Sequence, residues 1–202
     1  MTKTTQIAEA LVNSGALKFG TFKLKSGQIS PFYIDLACLL SSPADFLRIV
    51  DAVVDKVVEI SSLTKIDKLA SIELKGALLL PSVAAKLDLP SVVVRKKTKE
   101  YGATGRIAGG EVRKGERILF IDDVVTDGNS KLEGIKPLLD VGAEVETILV
   151  VIDREQGGRQ NLEKLGFQFH AVTSLSEVVH SLVDDGKISK EKANTVLNYI
   201  MK

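Results

Sequence analysis

Short apolar runs separated by helix-length amphipathic stretches constrain this chain more than any other feature. KLASI (68–72), SVVVR (91–95), RILFID (117–122) and VETILVVID (145–153) each have the length of a buried strand. Between them lie two stretches of helical pattern, GALLLPSVAAKL (76–87) and SKLEGIKPLLDVGA (130–143). Pro81 falls early enough in the first of these to be tolerated. The helical RQNLEKLG (159–166) and the extended FQFHAV (167–172) continue the alternation. Strands joined by helices of this length close as right-handed βαβ units. The expected fold class is α/β, with a mostly parallel central sheet flanked by helices.

The remaining segments add to that frame. MTKTTQIAEALVNSG reads as a short amphipathic helix stopped at Gly15, and LKFGTFKLKSGQISPFYIDL (17–36) as a hairpin. SPADFLRIVDAVVDKVVEIS (42–61) is a helix with Ser42 at its cap and Pro43 in its first turn. Residues after Arg95, up to about 116, read as a long polar loop. Residues 174–202 read as two helices broken at Gly186, with DDGKISKEK as a solvated surface between and along them. The division expected is one domain over 1–202, with a small hood subdomain over about 1–40 and a core over about 41–202.

Charge and cysteine usage narrow the function classes. The 27 basic and 26 acidic residues leave a net charge of +1, which argues against nucleic-acid binding driven by bulk charge. Cys38 is the single cysteine and lies among apolar neighbours, where a small buried hydrophobe is expected rather than a nucleophile. His170 and His180 lack metal-ligand spacing. No apolar stretch approaches the roughly 18 residues of a membrane span, and the N-terminus lacks a signal-type core. The expectation is a cytoplasmic protein with neither membrane nor nucleic acid as partner.

The stretch FIDDVVTDGNS (120–130) carries the chemistry. Ligands of an open parallel sheet bind beyond the carboxyl ends of its strands, and Asp122 and Asp123 are expected at such an end. Thr126, Gly128, Asn129 and Ser130 are small, polar or backbone-permissive, and they lead into a helix whose first N–H groups are unsatisfied. That combination suits a phosphate on the loop. The two acids suit sugar hydroxyls and a neighbouring divalent cation instead, because carboxylates accept hydrogen bonds and coordinate Mg2+. The competing reading is a capped turn after a buried strand, and the order of acids, small-residue loop and helix tells against it.

FIDDVVTDGNS resembles the phosphoribosyl-pyrophosphate (PRPP) signature of the type I phosphoribosyltransferases. The resemblance implies that family's fold, with Asp122 and Asp123 on the ribose and residues 126–130 on the 5′-phosphate. Asp127 departs from the pattern; its amide still serves, and its carboxylate is expected to point away from the phosphate. LKSGQISPFYIDL (24–36), VRKKTKEYGATGRIAGG (94–110) and DREQGGR (153–159) resemble stretches of the orotate phosphoribosyltransferases. With the PRPP motif, the resemblance runs from about residue 10 to about residue 170.

It implies conversion of orotate and PRPP to orotidine 5′-phosphate and pyrophosphate, in pyrimidine nucleotide synthesis. The implied cofactor is Mg2+ carried by PRPP near Asp122 and Asp123, with no direct protein metal site. The implied assembly is a homodimer with a shared active site. Orotate is a planar anion, so its site needs a cation and a flat surface. Lys25 offers the first and Phe32 or Tyr33 the second, although strand alternation turns one ring inward. Arg154 offers a planar donor, with an ion pair to Asp153 or Glu155 as the competing reading. Thr126 joins Lys25, Phe32, Tyr33 and Arg154 in the implied orotate set.

Lys75, Arg95, Lys96 and Lys99 fall at pyrophosphate-contacting positions, with Lys99 the best catalytic candidate beside Asp122 and Asp123. A long glycine-rich basic loop in a compact domain suits a lid that closes over the leaving group. Tyr101 stands where many relatives have a histidine, and Ser71 where the orotate enzymes often have glycine. Glu73 would repel pyrophosphate unless it binds Mg2+, a backbone amide or a lysine. SIELKG (71–76) also resembles the adenine-type enzymes, so a purine phosphoribosyltransferase is the alternative substrate reading. A PRPP-sensing, nucleic-acid-binding regulator is the alternative from another class.

Overall fold

The computed structural model describes residues 2–23, 27–99 and 105–201. A six-stranded sheet organises it, built from β3 (Lys68–Ile72), β4 (Ser91–Lys99), β5 (Gly105–Ala108), β6 (Arg117–Val125), β7 (Glu144–Asp153) and β8 (Gln168–Ser174). The strand order is β5-β4-β3-β6-β7-β8, parallel except for β5, which runs antiparallel to β4. The chain moves outward from β3 to β4, then returns to place β6 on the other side of β3. Such a reversal opens a crevice at the strand ends.

Alternation along the strands feeds two apolar layers. Leu69, Leu119, Ile121 and Leu149 join the core under α2 (Pro43–Ser61) and α3 (Lys75–Leu87). Ala70, Ile72, Phe120 and Ile148 face the other way, toward Ile135 and Leu138 of α4 (Asn129–Asp140) and Leu162 of α5 (Gly158–Lys164). The hood consists of α1 (Lys3–Asn13) and the antiparallel pair β1 (Leu17–Lys23) and β2 (Ile29–Ile34), a sheet separate from the main one.

The C-terminal segment forms the two helices expected, and their junction DDGKISKEK (184–192) is solvated as expected. Two amphipathic helices, α6 (Leu175–Asp184) and α7 (Lys190–Ile200), bury Leu175, Val178, Val179, Leu182, Ala193 and Val196 in the layer that also holds α1. The outer faces of both helices remain in solvent.

Three local expectations are corrected. The segment after Arg95 is not all loop, because β4 continues to Lys99 and pairs back with β5 through Val93–Ala108, Val94–Ile107 and Lys99–Gly105. Antiparallel pairing satisfies backbone groups that the polar side chains gave no reason to pair. Pro81 lies inside α3 beyond its first turn, where the helix continues without the bond its N–H would make. The strand carrying Asp122 and Asp123 does not stop at the acids but runs on to Val125. No helix among the described residues is long and apolar enough to cross a membrane.

Candidate active site

The two acids sit where β6 has lost one neighbour and kept the other. Pairing with β3 is registered up to Phe120–Ala70, whereas pairing with β7 continues to Val125–Asp153. The notch beyond β3 forms a cleft of about 350 Å3 whose lining includes Glu73, Lys75, Asp122, Asp123, Thr126 and Arg154.

The acids differ in circumstance. Asp122 is 3% exposed and lies 2.7 Å from the Nζ of Lys131, itself 3% exposed. Its other oxygen accepts the Asp123 backbone N–H at 2.9 Å. Asp123 is half-buried and has no cation of its own at that distance among the described residues; burial, with the neighbouring Asp122 charge, pushes its pKa up to about 6. Lys131 acts in the opposite direction without reversing the shift. The sequence reading missed Lys131. The available signal was its place two residues after Asn129, inside the first turn of a helix that must pack on a strand bearing acids.

The loop from Thr126 to Ser130 is shaped for close approach. Gly128 has φ +91° at the cap of α4, and a Cβ there would stand 3.1 Å from Leu162 Cγ. Asn161 of α5 pins the loop by donating to the Asp127 carbonyl at 3.1 Å. The Asp127 carboxylate does not point away, contrary to expectation. It accepts the Asn129 N–H at 3.0 Å and the Asn129 side-chain amide at 2.8 Å, where the helix N-terminus favours negative charge. Thr126, Asn129 and Ser130 are exposed to solvent on this loop.

On the opposite wall, Glu73 accepts the backbone N–H of Lys96 at 2.6 Å, one of the partners that would keep it from repelling an anion. Lys75 lies 3.1 Å from Asp35, which follows β2 of the hood. Burial alone would lower the Lys75 pKa, but the hydrogen bond and charge of Asp35, with Asp123 and Tyr33, carry it above its ordinary value. Gly76 brings α3 against β6, since a Cβ there would overlap Asp122 Oδ1 and Ser71 Oγ. Ser71 is fully buried, its hydroxyl without a hydrogen-bond partner among the described residues.

Arg95 donates to the Gly105 carbonyl at 3.2 Å and accepts from Arg106 at its own carbonyl, so it braces the β4–β5 hairpin. Lys96 is exposed at the cleft. Lys25 and Tyr101 lie outside the described residues; Lys99 ends β4, and its side chain lies outside them too.

The base side centres on Arg154. Its guanidinium carbon lies 4.8 Å from the centre of the Phe32 ring, and Nη1 is 3.4 Å from Thr126 Oγ1. Neither expected acid takes it. Asp153 pairs with Arg159 at 3.2 Å, and Glu155 accepts from the backbone and hydroxyl of Ser176. Arg154 Nε is buried without a partner among the described residues, and burial lowers the guanidinium's pKa. A desolvated cation in that state favours an anion beside it. As alternation along β2 implies, one of the two rings is turned inward: Phe32 is fully buried beneath Arg154, with Tyr199 edge-on at 5.8 Å, while Tyr33 is the exposed ring at 41%.

An acid-bearing strand end, a phosphate-type loop and a basic opposite wall at one switch point define a phosphoribosyl-transferring site. Residues 44–175 match the family model described as the phosphoribosyl transferase domain. An orotate phosphoribosyltransferase of Pyrococcus horikoshii is 36% identical over 173 residues, covering 86% of this chain and 91% of that protein. Among solved structures, UMP synthase of Leishmania donovani superposes with a TM-score of 0.86 at 31% identity, over 98% of this chain and 42% of that one. Orotate phosphoribosyltransferase of Aeropyrum pernix superposes at 0.74 with 28% identity, over 91% of this chain and 99% of that one. The chain belongs to the phosphoribosyltransferase family, and within it to the orotate phosphoribosyltransferases, enzymes of the pentosyl-transferring class.

Proposed function

We propose that this cleft joins orotate to PRPP, giving orotidine 5′-phosphate and pyrophosphate in pyrimidine nucleotide synthesis. The observation that carries the choice of base is Arg154, a half-buried guanidinium held over Phe32 with no carboxylate partner among the described residues. A planar carboxylate-bearing ring supplies the missing anion; a purine does not.

The 5′-phosphate lies on the amides of Thr126 to Ser130, displacing the Asp127 carboxylate from the Asn129 N–H. Asp123 accepts ribose hydroxyls from the cleft side, with Asp122 behind it in the buried pair with Lys131. Lys75, Arg95, Lys96 and Lys99 form the basic wall for pyrophosphate. Thr126, Tyr33 and Lys25 complete the orotate contacts around Arg154. As the glycosidic bond breaks, positive charge develops on the ribose and negative charge on the leaving group. A carboxylate beside the first and cations beside the second lower the barrier without a covalent intermediate. A ring nitrogen of orotate then attacks the anomeric carbon.

Asp122 is held by Lys131 and Glu73 by the Lys96 amide, leaving Asp123 as the acid nearest an incoming ion. That donor set suits Mg2+ delivered on PRPP, where it neutralises diphosphate charge. A cytoplasmic homodimer with a basic hairpin shared between sites completes the reading. Pyrophosphorolysis tests it: orotidine 5′-phosphate with pyrophosphate and Mg2+ should regenerate orotate, while adenosine 5′-monophosphate should yield no adenine. The reverse pattern would assign the cleft to a purine.

A further inference from the structure

Lys131 is a charged residue buried to 3% exposure at the start of α4, and the family-level reading gives it no task. Its ammonium has three partners: Asp122 Oδ2 at 2.7 Å, the Val124 carbonyl at 2.5 Å and Ser130 Oγ at 3.2 Å. An ammonium has three donors, so this set uses its full capacity. The partners are not equivalent in the fold. Asp122 and Val124 belong to the last part of β6, and Ser130 to the far end of the phosphate loop. The two ends of the segment Asp122–Ser130 are therefore fastened to one buried point.

We infer that Lys131 is a positioning residue for the phosphate loop, holding the Thr126–Ser130 cradle in its binding shape before any substrate arrives. A loop ordered in advance pays less on binding. The same ammonium removes one net negative charge from the acid pair, so a polyanionic sugar phosphate meets a single free carboxylate, Asp123, rather than two. The inference rests on the reading of this cleft as a PRPP site and concerns the sugar-phosphate half, independent of the base.

Binding of ribose 5-phosphate by calorimetry, alongside steady-state KM values for PRPP and orotate, separates the possibilities. Lys131→Met should weaken ribose 5-phosphate binding and raise the PRPP KM on the order of tenfold, with the orotate KM within about twofold of wild type. Lys131→Arg should recover part of the loss. If Lys131→Met does not fold, the comparison moves to Asp122→Asn against Asp122→Asn/Lys131→Met, which does not strand a buried carboxylate. There the second change should weaken ribose 5-phosphate binding further, because the Val124 and Ser130 tethers are lost. Equal binding with and without Lys131, or a fall in kcat alone, would overturn the inference and leave the site reading intact. A wild-type chain that bound no ribose 5-phosphate would overturn both.

Discussion

The guanidinium of Arg154 sits 4.8 Å from the centre of the Phe32 ring, and Tyr199 of the last helix meets the same ring edge-on at 5.8 Å. Strand β7, hood and C-terminal helix thus converge on one cation. Its usual acidic partners are occupied elsewhere, Asp153 by Arg159 and Glu155 by Ser176.

Arg154→Met keeps much of the packing over Phe32 and removes the charge. Charge-assisted hydrogen bonds contribute about 1.5–3 kcal/mol, so the orotate KM should rise roughly 10- to 150-fold. The PRPP KM should stay within about threefold. Steady-state kinetics varying each substrate in turn checks the split, and equal rises in both values would place Arg154 outside the base subsite.

Asp123 gives a pH dependence with a definite sign. Its folded pKa of about 6 lies above the ordinary 3.8, so the folded state retains a proton that the unfolded chain has released. The stabilisation from that protonated form is fully present below about 3.8 and lost as pH rises through about 6. Asp123→Asn should therefore stabilise the ligand-free protein more at pH 8 than at pH 5. Urea unfolding of both proteins at the two pH values measures this, and an equal difference at both would contradict the assignment.

Gly76→Ala places a methyl group on Asp122 and the Ser71 hydroxyl, with Asp122 Cα only 2.9 Å away. Overpacking of this kind costs about 1–3 kcal/mol. Chemical denaturation should show that loss together with reduced turnover, since the displaced group is an active-site acid. Unchanged stability would mean that α3 and β6 are not held this close.

Asp127→Ser should act in the favourable direction. The carboxylate occupies the Asn129 N–H that a phosphate needs, and its charge opposes the ligand. Removing it should lower the PRPP KM about fivefold, with little change in the stability of α4, because serine and aspartate serve about equally well beside a helix start. Kinetics and thermal unfolding on the same preparation read both effects. A higher KM would show that the Asp127 side chain assists binding.

The parts of this site written in consecutive residues were legible from the sequence. FIDDVVTDGNS carries strand, acids, loop and helix start in order, and apolar runs such as KLASI and RILFID, separated by helix-length stretches, pointed to the mostly parallel sheet. What escaped depends on contacts between distant segments. Nothing near Lys75 points to Asp35 of the hood, and nothing near Arg154 shows that residue 199 would support the ring beneath it. Lys131 escaped because a buried lysine is legible only once its acid partner is placed. The β4–β5 hairpin was hidden for a related reason: its polar side chains carry no burial signal, and its pairing is made by backbone.

The central claim is that the cleft transfers a phosphoribosyl group to orotate. Pyrophosphate release from PRPP and Mg2+, compared with orotate, adenine, hypoxanthine, uracil and no base, tests it most directly. Release with orotate alone, matched by loss of orotate absorbance, is the predicted result. Release with a purine, or with no base at all, would contradict it.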